Sequence, residues 1–342
     1  MKQRGTREII YSLFLVCGSL LVSGLALEVG LRVLGHGGQP QAAMSNVYKI
    51  DDPVLDWRYV PRSEYREGDV GYHFNSAGFR DAERSVKKPP GIKRLVVLGD
   101  SVTVGLGVRW ETAFSSYVQG RLGREFEVVT IAQGGLNTPQ EVHLLERSGL
   151  VYEPDVLVVN FVLNDCDFYS ELEGAGDYVA GVNSRIGLLF NMPVDPRLKQ
   201  MLKSSALIYF VKSRLENVKG RISGREYTDH YTRIWAQEEN RRKVTRGFDR
   251  LAELQKEHRF EVVVIVWPLI TDYPRYGFAS IHEWVSQEAE KRGFSSIDLL
   301  PAFSGESYRN LQVTAEDNVH PNALGHRIAV ERFVAWFRPN GA

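Results

Sequence analysis

From residue 93 onward, short apolar β-branched runs alternate with helical patterns, and this alternation constrains the fold more than any other feature of the chain. Lys93–Leu98, Phe126–Ile131, Asp155–Phe161 and Glu261–Trp267 have the length and composition of buried strands, and Ser296–Leu299 is a weaker fifth. Helical patterns lie at Thr112–Leu122, at Pro139–Ser148 with Thr138 as N-cap, and from about Thr232 to His258. In the last of these Val244, Phe248, Leu251 and Leu254 share one stripe. Ile281–Arg292 and Pro321–Phe337 complete the set, with Pro321 suited to a first helical position. Strands apolar on both sides need helices on both sides. The expected fold is α/β, a three-layer α/β/α sandwich around a mainly parallel five-stranded sheet.

One stretch breaks the rhythm. Residues 168–231 separate the third and fourth strands by more than a crossover requires, and Ala206–Val211 suggests helices of its own. This reads as an insertion, either a satellite core or a lid over a pocket. Its basic run Lys212–Arg225 reads as a solvated helix face, with contact to anionic headgroups as the alternative. Upstream, Val70–Phe74 is extended, Asn75–Gly78 is a turn signal, and Lys87–Gly91 breaks the chain before the first strong strand. The domain expectation is thus an anchor at 1–35, a linker and short extended segment at 36–91, and the sheet domain at 92–342.

The anchor follows from Ile9–Leu27, nineteen residues without a charge, against the roughly 20 needed to span a bilayer. Lys2, Arg4 and Arg7 precede it, so the positive-inside rule puts the N-terminus in the cytoplasm and the remainder outside. Gly24-Leu25-Ala26 is a passable signal-peptidase site, but Leu31, Val33 and Leu34 prolong the apolar helix beyond it. Val16 is a poor residue before a lipidated Cys17. The chain's two cysteines exclude a disulfide framework. Acidic and basic residues balance at 42 each, which removes the electrostatic footprint of a nucleic-acid partner. Neither metal-ligand spacing nor a phosphate-cradling glycine loop is present, so no metal and no cofactor is expected.

The first strand ends in Leu98-Gly99-Asp100-Ser101, which puts Ser101 at the sheet edge where open α/β folds bind ligands. Thr103 stands where a Gly-x-Ser-x-Gly elbow needs glycine, so ordinary α/β-hydrolase architecture is not indicated. A serine nucleophile needs a base. Of eight histidines, His320 has a carboxylate, Asp317, at an offset where a short loop lets it orient one ring nitrogen. His326 reads as packing or surface, and His143, His258 and His282 fall in helical patterns. Gly134-Gly135 and Asn164 follow the second and third strands at the same edge and can supply oxyanion donors. Asp100 and Asp165 read as loop braces.

Together these blocks resemble the SGNH (GDSL-type) hydrolases, over roughly residues 92–337. Gly99-Asp100-Ser101 matches the first block and Gly135-Leu136-Asn137-Thr138 resembles the second. Leu163-Asn164-Asp165 matches most of the third, and Asp317-Asn318-Val319-His320 matches the fourth. The resemblance implies a flavodoxin-like fold with Ser101 as nucleophile, His320 as base and Asp317 as its orienting acid. It also implies an oxyanion hole from the Ser101 N–H, the Gly135 N–H and the Asn164 amide. Val162 replaces a glycine usual in the third block, which would narrow the site, and Gly134 competes with Gly135 as donor. Phe74–Asp81 resembles a stretch of bacterial membrane-anchored members.

The expected function is a serine esterase cleaving short acyl esters, such as acetyl, on a small molecule or an extracytoplasmic glycan. The alternatives are an O-acyltransferase of surface polysaccharide, which needs the same groups, and a non-catalytic glycan-binding protein.

Overall fold

The computed structural model describes residues 2–33, 48–166, 205, 207, 230–315 and 317–340. The linker at 36–47 and nearly all of the insertion at 168–231, including the basic run Lys212–Arg225, lie outside the described residues. Contacts divide the chain into two units, Met1–Ser45 with Val179–Ile222, and Asn46–Tyr178 with Ser223–Ala342.

The first unit contains α1 (Lys2–Val33). Near its end Glu28 accepts from the Ser205 hydroxyl at 2.7 Å and the Leu207 N–H at 2.8 Å, and pairs with Arg32 at 2.8 Å. Among the described residues no helix is long and apolar enough to cross a membrane. Of the expected span Ile9–Leu27, some side chains, among them Leu13, Phe14, Leu20 and Leu21, are not described, while Tyr11, Leu15, Val16 and Val22 are exposed.

The second unit is built on five strands, β5 (Lys93–Gly99), β6 (Phe126–Ala132), β7 (Val156–Phe161), β8 (Glu261–Val266) and β9 (Ser295–Asp298). They pair in the order β6-β5-β7-β8-β9, and every pairing is parallel. Leu95 to Leu98 are wholly buried, as are Leu157 and Val158, because helices cover both faces. The helices are α2 (Ser101–Val104), α3 (Phe114–Arg121), α4 (Thr138–Leu144), α5 (Glu238–His258), α6 (Ala279–Glu290), α7 (Leu300–Phe303) and α8 (Ala323–Asn340). Phe114 of α3 meets Phe333 of α8 at 5.8 Å between ring centroids, and Phe248 of α5 meets Phe161 at 5.9 Å. The chain leaves β5 for β6 on one side and returns to β7 on the other. In register, Gly99 stands beside both Ala132 and Asn160. The order therefore reverses at the carboxyl end of β5, which opens a crevice there.

Among the boundaries that differ from the sequence reading, three have a visible local cause. Asn137, not Thr138, caps α4, because its side chain and that of Gln140 bond each other's backbone in a capping box. The pattern from Thr232 is broken at Gln237, whose backbone is extended, so α5 begins at Glu238. Pro321 does not start the last helix. It bridges to Gln312, and Asn322 caps α8 by accepting from the Leu324 and Gly325 N–H groups.

Residues 46–91, read from sequence as a linker and extended segment, belong from Asn46 onward to the unit that holds the sheet. They form two antiparallel hairpins, β1 (Tyr48–Asp52) with β2 (Asp56–Tyr59), and β3 (Glu64–Glu67) with β4 (Val70–His73). Tyr59 stacks on Phe74 at 4.0 Å and Tyr65 on Tyr72 at 4.4 Å. Leu55 and Phe79 enter the main core. The expected turn is present, with Asn75 Oδ1 accepting from the Ala77 and Phe79 N–H groups, both at 3.0 Å.

Candidate active site

β5 delivers Ser101 to the crevice through a tight exit. A side chain at Gly99 would overlap the Thr103 hydroxyl and press on Asn160 Cβ at 3.2 Å, so glycine is required there. Asp100 caps α2, its Oδ1 accepting from the Val102 N–H at 2.9 Å, which leaves Ser101 as the first residue of the helix.

His320 Nε2 lies 2.9 Å from Ser101 Oγ, and His320 Nδ1 lies 2.8 Å from Asp317 Oδ2. An ionised carboxylate only accepts, so Nδ1 carries the proton and Nε2 of the neutral ring accepts from the serine hydroxyl. The other oxygen of Asp317 accepts from the backbone N–H groups of Val319 and His320, at 3.0 and 2.8 Å. These bonds fold the loop so that the histidine faces the serine. The loop is clamped from outside: Ile270 N–H donates to the Asn318 carbonyl at 2.7 Å, and Gln312 Nε2 donates to Asn318 Oδ1 at 2.8 Å.

Burial alone would push the His320 pKa down. The bond to Asp317 and that residue's charge more than offset this and hold the histidine above its ordinary value. Burial pushes Asp317 up, but its bond and charge interaction with His320 bring it below the usual carboxylate range.

The donor candidates converge on the same point. Asn164 follows β7 and its Nδ2 donates to Asp100 Oδ2 at 2.6 Å, which commits one of two amide hydrogens. A methyl group at Gly134 would sit 3.6 Å from Ser101 Cβ, so the backbone after β6 passes directly against the serine. Gly135 has φ +79°, the left-handed region that only glycine enters freely. Ser101, Asp317, His320, Asn164 and the two glycines are thus brought together. Val162 is instead buried in the main core, and Asp165 Oδ2 braces its own loop by accepting from the Val162 N–H at 3.2 Å. His326 is fully buried edge-on to Trp267 at 5.5 Å, and burial pushes its pKa down to about 3. It packs and stays neutral.

Sequence reasoning gave no role to several residues that the structure puts beside this site. The Tyr59 hydroxyl would lie 3.5 Å from that same methyl group at Gly134. Arg80 is buried and bonds the carbonyls of Val104, the last residue of α2, and of Gly105. Glu141, on α4, is buried with neither carboxylate oxygen hydrogen-bonded among the described residues. The recognisable signal was the Phe74–Asp81 stretch, which marked a kind of protein and not a contact.

A family model described as the GDSL-like lipase/acylhydrolase family matches residues 97–328. No curated protein matches the sequence. Among solved structures, TesA aligns at 15% identity and TM-score 0.43, covering 72% of this chain and 99% of its own. An acetyl xylan esterase, AlAXEase, aligns at 15% and 0.43, covering 71% and 98%. A carbohydrate acetylesterase family member from Sinorhizobium meliloti aligns at 14% and 0.40, covering 72% and 98%.

Proposed function

The chain belongs to the GDSL-like lipase/acylhydrolase family and is an ester-hydrolysing enzyme, and from that premise we propose that it works through an acyl-serine intermediate at Ser101. The observation that carries the proposal is the unbroken line from Ser101 Oγ through His320 to Asp317, with links of 2.9 and 2.8 Å. In the first half-reaction Ser101 Oγ bonds to the ester carbonyl carbon while His320 Nε2 takes the hydroxyl proton. The carbonyl oxygen becomes an oxyanion that faces the N–H groups of Ser101 and Gly135 and the free hydrogen of Asn164. Collapse breaks the bond to the alcohol, which leaves with the proton held by His320. Water then repeats the sequence and releases the acid.

The substrate we propose is a short acyl ester, such as an acetyl group, on a glycan. The support for the acyl ester is the family match over residues 97–328, and the glycan follows from the place proposed next for the catalytic unit. We further propose that Ile9–Leu27 anchors the enzyme and that the catalytic unit works outside the cytoplasm. The support is the uncharged run behind Lys2, Arg4 and Arg7, set in a 32-residue helix.

Four experiments test this reading. Ser101→Ala in the full chain is expected to lose on the order of 10⁶ in turnover of acetyl esters, and unchanged turnover overturns the nucleophile. Acetate release from an acetylated oligosaccharide is the expected product. Acetyl transfer to an added acceptor glycan would make the protein a transferase instead. Alkaline carbonate extraction and protease treatment of spheroplasts test the anchor, which is overturned if the protein is washed free or stays protected.

A further inference from the structure

We propose that Arg80 is a positioning residue for the nucleophile, holding the one-turn helix that begins at Ser101 from behind by its carbonyl groups. The proposal rests on reading Ser101 as the nucleophile.

A helix of four residues has almost no stability of its own, since nucleation is costly and all its terminal carbonyls lack partners within the helix. α2 closes with Gly105 at φ +73°, whose N–H returns to the Ser101 and Val102 carbonyls. The Leu106 N–H also reaches the Ser101 carbonyl, at 3.1 Å. The outward carbonyls of the next residues are gathered by one side chain. Arg80 Nη1 donates to the Val104 and Gly105 carbonyls at 3.0 and 2.5 Å, and Nη2 donates to the Val108 carbonyl at 2.9 Å. Nη2 also donates to the Gly71 carbonyl at 3.0 Å, which ties the assembly to β4.

Tyr72 completes the clasp. Arg80 Cζ lies 4.2 Å from its ring centroid, and its hydroxyl accepts from the Gly107 N–H at 2.7 Å. Every residue from Val104 to Val108 except Leu106 is therefore held by a side chain of 72–80. These partners of Arg80 are carbonyls, not carboxylates. Among the described residues no carboxylate forms an ion pair with Arg80, and a buried cation held by carbonyls is an expensive way to fill space. A flat fork with parallel donors, however, matches carbonyls that diverge from a helix end, and the positive charge sits at the negative end of the helix. A shift of Ser101 Oγ by even a fraction of an ångström would lengthen its 2.9 Å contact with His320. Rate is sensitive to such displacements, with a misplacement of about 1 Å costing about 10²-fold.

The test uses the full chain and a fluorophosphonate, whose first-order rate of labelling Ser101 reads only folded molecules, however many have unfolded. Arg80→Met is expected to label about 10²-fold more slowly and to lose kcat by the same factor, with KM little changed. Arg80→Lys, which keeps one donor group and the charge, is expected to fall between Met and the parent. Added guanidinium at millimolar concentration is expected to recover part of the rate in Arg80→Ala. A folded fraction of Arg80→Met that labels and turns over at the parent rate overturns the proposal. So does a Lys variant no better than Met with no guanidinium recovery, since the side chain would then only fill space. Ser101→Ala separates the two readings: if it retains turnover, the nucleophile assignment fails, whatever Arg80 does.

Discussion

Asn164 donates its side-chain amide to Asp100 at 2.6 Å, so the proposed oxyanion donor is tied to the carboxylate that caps the nucleophile's helix. One buried aspartate thereby sets both the direction of Ser101 and the direction of the amide opposite it. Burial pushes the Asp100 pKa up, partly countered by the Asn164 and Val102 bonds.

Asn164→Ala is expected to lower kcat by about 10²–10³ with a small change in KM, the scale of one oxyanion donor. Asp100→Ala should lower kcat too, because Asn164 loses its tether, and should also destabilise the fold by about 1 kcal/mol through the lost cap. Steady-state kinetics and thermal melts of both variants check this. Turnover unchanged in Asn164→Ala would remove it from the oxyanion hole.

The pH profile follows from His320. As a base it must be neutral, and its pKa lies above the ordinary histidine value. Activity should fall as pH drops through a midpoint above about 6.5. The same shift stabilises the fold fully below that unfolded value, and this contribution is lost as pH rises through the folded pKa. Asp317→Asn should cost about 10⁴ in kcat and move the acid limb to lower pH. A limb that does not move in kcat/KM profiles would mean that another group titrates.

Glu141 and Asp165 report on stability. Burial raises both well above the usual carboxylate range, and the neighbouring carboxylates add to the effect. The unfolded chain releases these protons near about pH 4, whereas the folded protein keeps them. Their contribution to stability is therefore present below that pH and declines as pH rises toward the folded values. Glu141→Gln should flatten this decline and raise the melting temperature at about pH 8 relative to the parent, with little change at about pH 4. A lower melting temperature under the alkaline condition would contradict it.

The two glycines after β6 separate by conformation. Gly135→Ala places a Cβ at φ +79° and should cost about 1–2 kcal/mol along with activity. At Gly134 a methyl group meets its neighbours at 3.5–3.9 Å, ordinary contact distance. Gly134→Ala should therefore keep the melting temperature while narrowing the space before Ser101, with bulkier acyl esters losing most. Melting curves and an acyl-chain series distinguish the two.

Much of this site was legible because its parts are local. Ser101, Gly135, Asn164 and the Asp317–His320 pair each follow a strand or occupy one short loop, and strand runs announce themselves by composition. Arg80, Tyr59 and Glu141 were not legible, because their roles depend on which distant backbone they meet. Arg80 contacts Val108, twenty-eight residues away. The cap of α4 was missed by one residue because Asn137 and Thr138 both suit the position, and only the Gln140 partner decides between them.

The sequence by itself determined the alternating α/β pattern and the residue types that acyl chemistry requires, since hydrophobic period and side-chain chemistry are properties of the chain. Tertiary structure alone decided that β6 and β7 flank β5, that a loop some two hundred residues on closes over Ser101, and that a segment ahead of the sheet grips the nucleophile's helix. Those are long-range choices, made by burial and hydrogen-bond satisfaction over the whole fold.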